Sequence, residues 1–155
     1  PVLLRPGGIT LQQLQHVVGE VHVVKADLDE NATQTPPSPG MKYRHYAPHA
    51  KMLLVQGGEA EMVQRIQELA ARYRSQGLKV GVLTTEEHAS DYDADVVVAC
   101  GRRDDLASVA RELYRSLRQF DREGVKYILC ETFPETGWGM TIMNRLYKAA
   151  GGRVV

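Results

Sequence analysis

VKYILCETF (residues 125–133) lies between Gly124 and Pro134. Aliphatic, aromatic and β-branched residues held between two breakers read as a short strand that Pro134 closes. Working outward, MLLVQ (52–56), KVGVLTT (79–85) and DVVVAC (95–100) have the same character. The segments between them change period. Val63, Ile66, Ala70 and Tyr73 recur at helical spacing before Gly77, and Leu106, Val109, Leu113, Leu117 and Phe120 form one face of a helix that Asp104 or Asp105 can cap. Ile142, Met143, Leu146 and Ala150 mark a last helix over roughly 141–150, ended by Gly151-Gly152, after which RVV can add a short strand. EEHASDYD is polar and only weakly helical. Four strands alternating with helices imply right-handed crossovers and a mainly parallel sheet covered on both faces. Residues 51–155 are therefore expected to form a small doubly wound α/β domain.

The first 50 residues follow different rules. Residues 1–24 read as a strand end (VLL), a turn at Arg5-Pro6-Gly7-Gly8, a short helix and the strand-like VHVV. Thr10 and Gln13 make a capping-box pattern ahead of Leu11, Leu14 and Val17. These pieces are too small for a core of their own and are expected to complete another domain. Residues 25–50 have almost no aliphatic side chains, and Pro36, Pro37 and Pro39 stiffen them into an interdomain linker. The chain begins at Pro1 with no initiator Met, so it is expected to be cut from something longer.

Composition excludes several classes. Of the 155 residues, 43% are hydrophobic and 25% charged, as in an ordinary globular protein. The 19 basic and 19 acidic residues cancel, so no global field favours nucleic acid or an anionic membrane. No apolar run approaches the length of a membrane span, and no signal peptide is visible. Cys100 and Cys130 each end an apolar run and are expected to be buried structural thiols. A cytoplasmic location is the default expectation.

Ligands of open α/β sheets sit beyond the carboxyl ends of the strands. The loops there spell neither a dinucleotide fingerprint nor a phosphate-cradling loop: QGGEAEM lacks the spaced glycines and GRRDD lacks Lys-Ser/Thr. Gly57-Gly58 reads as a tight turn into a helix, and Arg102-Arg103 as a solvated pair. Gln56-Gly57-Gly58 offers no acid where a receiver-like domain needs one. Trp138 reads as an aromatic plug on a packed helix, with a contact surface for a neighbouring domain as the alternative. His45 and His49 have zinc-binding spacing, but Pro48 keeps them off one helix face. His16, His22 and His88 read as surface or packing residues. The richest chemistry lies in SPGMKYRHYAP (38–48). Lys42, Arg44 and His45 can donate to phosphate or carboxylate oxygens, and Tyr43 and Tyr46 can stack or hydrogen-bond. Two readings stay open for this block: a lid over an anionic nucleotide site, or an ordered linker that its aromatics staple down.

LRPGGIT (4–10), SPGMKYRHYAP (38–48) and GWGMTIMNRLYKAA (137–150) occur in that order. Together they resemble the C-terminal part of the two-domain threonylcarbamoyl-AMP synthase family, in which a linker joins a catalytic domain to a Rossmann-like accessory domain. The resemblance covers essentially the whole chain. It implies an activity that converts L-threonine, bicarbonate and ATP, the last with Mg2+, to threonylcarbamoyl-AMP and pyrophosphate for tRNA modification. The lysine-arginine and serine-asparagine motifs of the catalytic domain are absent here, so the chain is expected to be inactive alone and to hold no cofactor of its own. By the same resemblance Arg5 faces the nucleotide phosphates, and Lys42, Tyr43, Arg44, His45 and Tyr46 belong to the segment that folds over the active site. The implied partners are the upstream catalytic domain, ATP, L-threonine and the adenylate product. The tRNA pathway is implied indirectly and no membrane at all. The other readings are a stand-alone small-ligand or nucleotide-binding module, and a tRNA-contacting domain using Lys42, Arg44, Arg102 and Arg103.

Overall fold

A computed structural model describes residues 1–23 and 47–155. The four expected strands form one parallel sheet: β3 (Lys51–Val55), β4 (Val80–Thr84), β5 (Val96–Ala99) and β6 (Tyr127–Glu131), in the order β3-β6-β4-β5. Leu129 of β6 pairs with Leu53 on one side and with Val82 on the other. Val154 adds a single parallel bridge to Leu54 beyond the β3 edge, where the RVV strand was expected.

Each strand is apolar on both faces because helices cover both. α2 (Glu59–Ser75) lies over Val55, Val80, Val82 and Leu129, using Met62, Ile66, Leu69 and Ala70. The opposite face, with Met52, Leu54, Ile128 and Cys130, meets α3 (Leu106–Glu123) and α4 (Trp138–Ala150) through Leu113, Leu117, Phe120, Ile142 and Leu146. Alternate residues of β3 thus feed two separate cores, as the two-residue period of a strand requires. This is the doubly wound α/β arrangement. The chain between β4 and β5 makes only a single 3-10 turn, Ala89–Asp91. Asp105 occupies the N-cap of α3 without a side-chain cap bond.

The amino-terminal unit consists of β1 (Val2–Leu3), α1 (Leu11–Val18) and β2 (His22–Val23), with β1 and β2 parallel. The capping box forms: the Gln13 amide donates to Thr10 Oγ1 at 3.2 Å, and the Thr10 amide donates to Gln13 Oε1 at 2.8 Å. Yet α1 buries none of its residues. The unit is tied to α4, where Thr141 Oγ1 donates to the Gly7 carbonyl at 2.9 Å.

α4 begins at Trp138, before the expected boundary near residue 141, because Gly-Trp-Gly is helical rather than loop. Gly137 takes φ 55° at the N-cap, and the Gly139 amide donates to the Thr136 carbonyl at 2.9 Å. A Cβ on Gly139 would lie 1.7 Å from the Pro134 carbonyl oxygen. Alanine ordinarily gains about 1 kcal/mol over glycine in a helix. Here the sign reverses: Gly139→Ala is expected to lose about 1–3 kcal/mol by overpacking, read as a lower urea midpoint at unchanged m-value.

Candidate functional site

Glu131 ends β6 with a fully buried side chain. A buried carboxylate is tolerated only when its lone pairs find donors. Oε1 accepts from Thr84 Oγ1 at 2.7 Å and from the Tyr92 hydroxyl at 2.5 Å, and it faces His88 Nδ1 at 3.0 Å. A carboxylate oxygen only accepts, so Nδ1 carries the proton in this contact. Oε2 accepts from Arg103 Nη2 at 2.8 Å. Arg103 Nη1 and Nη2 both donate to the Thr132 carbonyl at 3.1 Å, and its guanidinium lies 4.5 Å from the Phe133 ring centroid. Arg103 Nε is shut off from solvent and sits 3.3 Å from Glu59 Oε1, without the alignment of a hydrogen bond.

This arrangement corrects the reading of Arg102 and Arg103 as a solvated pair. Arg102 stays at the surface and forks onto Asp104 at 2.9 and 2.8 Å. The Arg103 side chain is only 14% exposed, because the buried carboxylate at the end of β6, two strands across the sheet from β5, draws it inward. Its loop is pinned by Glu87, whose carboxylate accepts from the amides of Arg103 at 2.9 Å and Asp104 at 3.3 Å. Burial raises the Glu87 pKa, but the backbone donors of Arg103, Glu87 and Asp104 outweigh it and hold the group at about 2. Tyr92 is pushed well up, first by burial and then by the hydrogen bond and charge of Glu131. Glu131 was missed in the sequence. The available signal was a charge directly after the apolar YILC run, where a strand end should still be buried.

A cleft of about 680 Å3 opens beside this network. Its place follows from topology. β3 and β6 are neighbours, but the helix leaving β3 covers one face of the sheet and the helix leaving β6 covers the other. Their carboxyl ends therefore diverge into a crevice. Met62, Leu106, Phe133 and Met143 form its apolar lining, with Gly57-Gly58 and Glu59 at one lip and Pro134 and Glu135 at the other. Gly57 has φ 133°, a conformation that favours glycine. Tyr147 spans the mouth: its hydroxyl accepts from Gln56 Nε2 at 3.4 Å and bonds to Glu135.

Among the residues singled out by sequence, Arg5 lies in the exposed turn between β1 and α1. After burial, the charge of Arg5 is the second influence lowering the Lys148 pKa, which puts Arg5 near α4. Lys42, Tyr43, Arg44, His45 and Tyr46 lie outside the described residues. His49 is exposed, and its amide donates to Asp121 Oδ1 at 2.8 Å. His88, read as a surface or packing residue, belongs to the Glu131 network. Cys100 and Cys130 are buried as expected. Burial raises both thiols, Cys100 to about 11. Trp138 packs half-buried against the core. The described residues contain no group of three or more His, Cys, Asp or Glu suited to a metal. No helix among them is long and apolar enough to cross a membrane.

The fold is a small doubly wound α/β domain with a short β-α-β unit tied to its last helix. The family model described as threonylcarbamoyl-AMP synthase, C-terminal domain, matches residues 9–151, and the chain belongs to that family. The threonylcarbamoyl-AMP synthase of Bacillus subtilis is 54% identical over 155 residues, covering all of this chain and 43% of the relative. The enzyme of that name from Pyrococcus abyssi is 43% identical over 155 residues, which cover 44% of its length. The crystal structure of P. abyssi Sua5 complexed with L-threonine matches with a TM-score of 0.88 at 42% identity, over all of this chain and 44% of that one. The chain thus spans less than half the length of these relatives.

Arg103→Ala leaves the Glu131 carboxylate buried without its cation and is expected to cost about 3–5 kcal/mol in urea unfolding. Adding Glu131→Gln to it should recover part of that loss. Tyr92 has a raised folded-state pKa, so its contribution is complete below the unfolded value near 10 and declines as pH rises above it. Tyr92→Phe should therefore be less stable than the parent at pH 8 but lose less stability between pH 8 and 11, as followed by urea midpoints.

Proposed function

We propose that this chain is the linker and accessory region of a cytoplasmic threonylcarbamoyl-AMP synthase, acting on an active site whose floor lies in an upstream catalytic domain of the same protein. In this reading residues 1–24 are the end of that domain, residues 25–50 the linker and lid, and residues 51–155 the accessory domain that holds the linker. The catalytic domain binds ATP with Mg2+ and L-threonine. It uses bicarbonate to form threonylcarbamoyl-AMP and pyrophosphate, and the product serves tRNA threonylcarbamoyladenosine formation.

The observation that carries this reading is the family match across residues 9–151 in a chain that spans under half of its relatives. The amino-terminal unit supports it. α1 buries no residue, and Ile9 and Val17 are 60% and 81% exposed, so the apolar side of the unit lacks cover among the described residues. A capped helix with such a surface fits a domain edge that packs elsewhere.

The chemistry asked of this chain is positional and electrostatic. Arg5, Lys42, Arg44 and His45 offset negative charge on the triphosphate, while Tyr43 and Tyr46 close the lid over the nucleotide. Closure keeps water from the carbamate and from the mixed anhydride, both of which hydrolyse readily. The tRNA-contact alternative loses two of its four cations, since Arg102 is engaged by Asp104 and Arg103 by Glu131.

The 155-residue chain supplied with ATP, Mg2+, bicarbonate and L-threonine should release pyrophosphate only at background rate; turnover by the chain alone overturns the assignment. Joined to its catalytic domain, Arg5→Ala or Tyr46→Ala is expected to lower kcat/KM by roughly 10- to 100-fold, the scale of losing one positioned electrostatic contact.

A further inference from the structure

The crevice at the ends of β3 and β6 has a chemistry unlike that of the cationic, aromatic block at 42–46, and it points to a different ligand. We propose that it binds a small organic cation with a flat apolar body. Three observations carry this.

The first is place and size. The crevice lies at the point where the winding of the sheet reverses, and its volume of about 680 Å3 suits a small molecule. The second is the lining. Phe133 is rigid and flat, and Met62 and Met143 add polarizable thioethers to the apolar wall. The Met62 and Met143 sulfurs already accept the amides of Thr132 at 3.2 Å and Phe133 at 3.4 Å, so they are fixed at the wall rather than filling the space.

The third is charge. Arg103 is the only cation among the described lining residues, and Glu131 and Glu59 already engage it. Glu135 stands at the opposite lip, bonded to the Tyr147 hydroxyl. Among the described lining residues, Glu59 and Glu135 against Arg103 leave the site with one net negative charge. The positive end of α2 does not reverse this, because Glu59 and Glu61 occupy its first turn and answer the dipole. An incoming phosphate would meet carboxylates at both lips. A guanidinium, amidinium or ammonium would find Glu135 at one lip and share Glu59 with Arg103 at the other, while its apolar part covers Phe133. Occupancy would then be felt at Arg103, and through it at Glu131 and the residues 84–92 that bond to Glu131.

Benzamidine is a suitable probe, because its amidinium fork matches a carboxylate and its ring matches the lining. Titrated into the labelled 155-residue chain, it should shift the amide resonances of Gly57, Gly58, Glu59 and Glu135, with a dissociation constant on the order of 1 mM for so small a ligand. Glu135→Gln and Glu59→Gln change exposed side chains and should leave the remaining spectrum in place, each weakening binding about fivefold. Benzyl alcohol, the neutral counterpart, should bind at least about fivefold more weakly than benzamidine. Equal affinity for benzyl alcohol, insensitivity to both Gln variants, or no shifts at these amides overturns the proposal. So does a response of the same amides to ATP or inorganic phosphate in the absence of one to benzamidine.

Discussion

The carboxylate of Glu131 is fully buried, and four side chains at the carboxyl end of the sheet are arranged to make that tolerable. Thr84 approaches from the end of β4, His88 and Tyr92 from the segment joining β4 to β5, and Arg103 from the loop before α3. None of these stretches has much core of its own. What fixes them is the cost of leaving a buried charge unmet, which exceeds the net gain from an ordinary hydrogen bond. A single side chain at the end of a central strand thereby sets the conformation of two loops. It also sets the position of Arg103 at the edge of the crevice. The exposed Glu87 acts on the same loop: its carboxylate ties it at the Arg103 and Asp104 amides while Glu131 ties it at the guanidinium.

The crevice is a consequence of chain path rather than of any loop motif. Neighbouring β3 and β6 send their helices to opposite faces, so no helix can close the space above them. Glycines Gly57 and Gly58 keep the β3 lip low, and Pro134 turns the chain away at the β6 lip. The two lips are cross-linked by polar side chains, Gln56 to Tyr147 on one flank and Glu59 to Arg103 on the other.

The fold was legible where burial dictates the pattern. The runs at 52–56, 79–85, 95–100 and 125–133 are apolar on both faces only because two layers of helix cover them, and that doubled burial is what separates a parallel sheet from an amphipathic one. The start of α4 was not legible, because glycine in Gly-Trp-Gly signals a break unless one knows that the Pro134 carbonyl leaves no room for a Cβ. Nor was the Glu131 network. Its members lie at positions 84, 88, 92, 103 and 131, and no local spacing connects them; only the β3-β6-β4-β5 order brings them together. The aromatic-basic block at 42–46 was the reverse case. Its chemistry stands out in the sequence, and those residues lie outside the described ones.

Two charge arrangements follow from this division of labour, and their opposite signs argue that they serve different ligands. The block Lys42-Tyr43-Arg44-His45-Tyr46, together with Arg5, is cationic and aromatic, as a closing element over a nucleotide needs to be. The crevice is lipped by Glu59 and Glu135, and its one guanidinium is already engaged, so a triphosphate gains nothing there. A lid that used the accessory domain as a second phosphate site would need free cations at the ends of β3 and β6. The buried carboxylate of Glu131 removes the best candidate by holding Arg103. A ligand of the crevice would have to complement acid over an apolar surface, a requirement opposite in sign to what the cationic block at 42–46 offers.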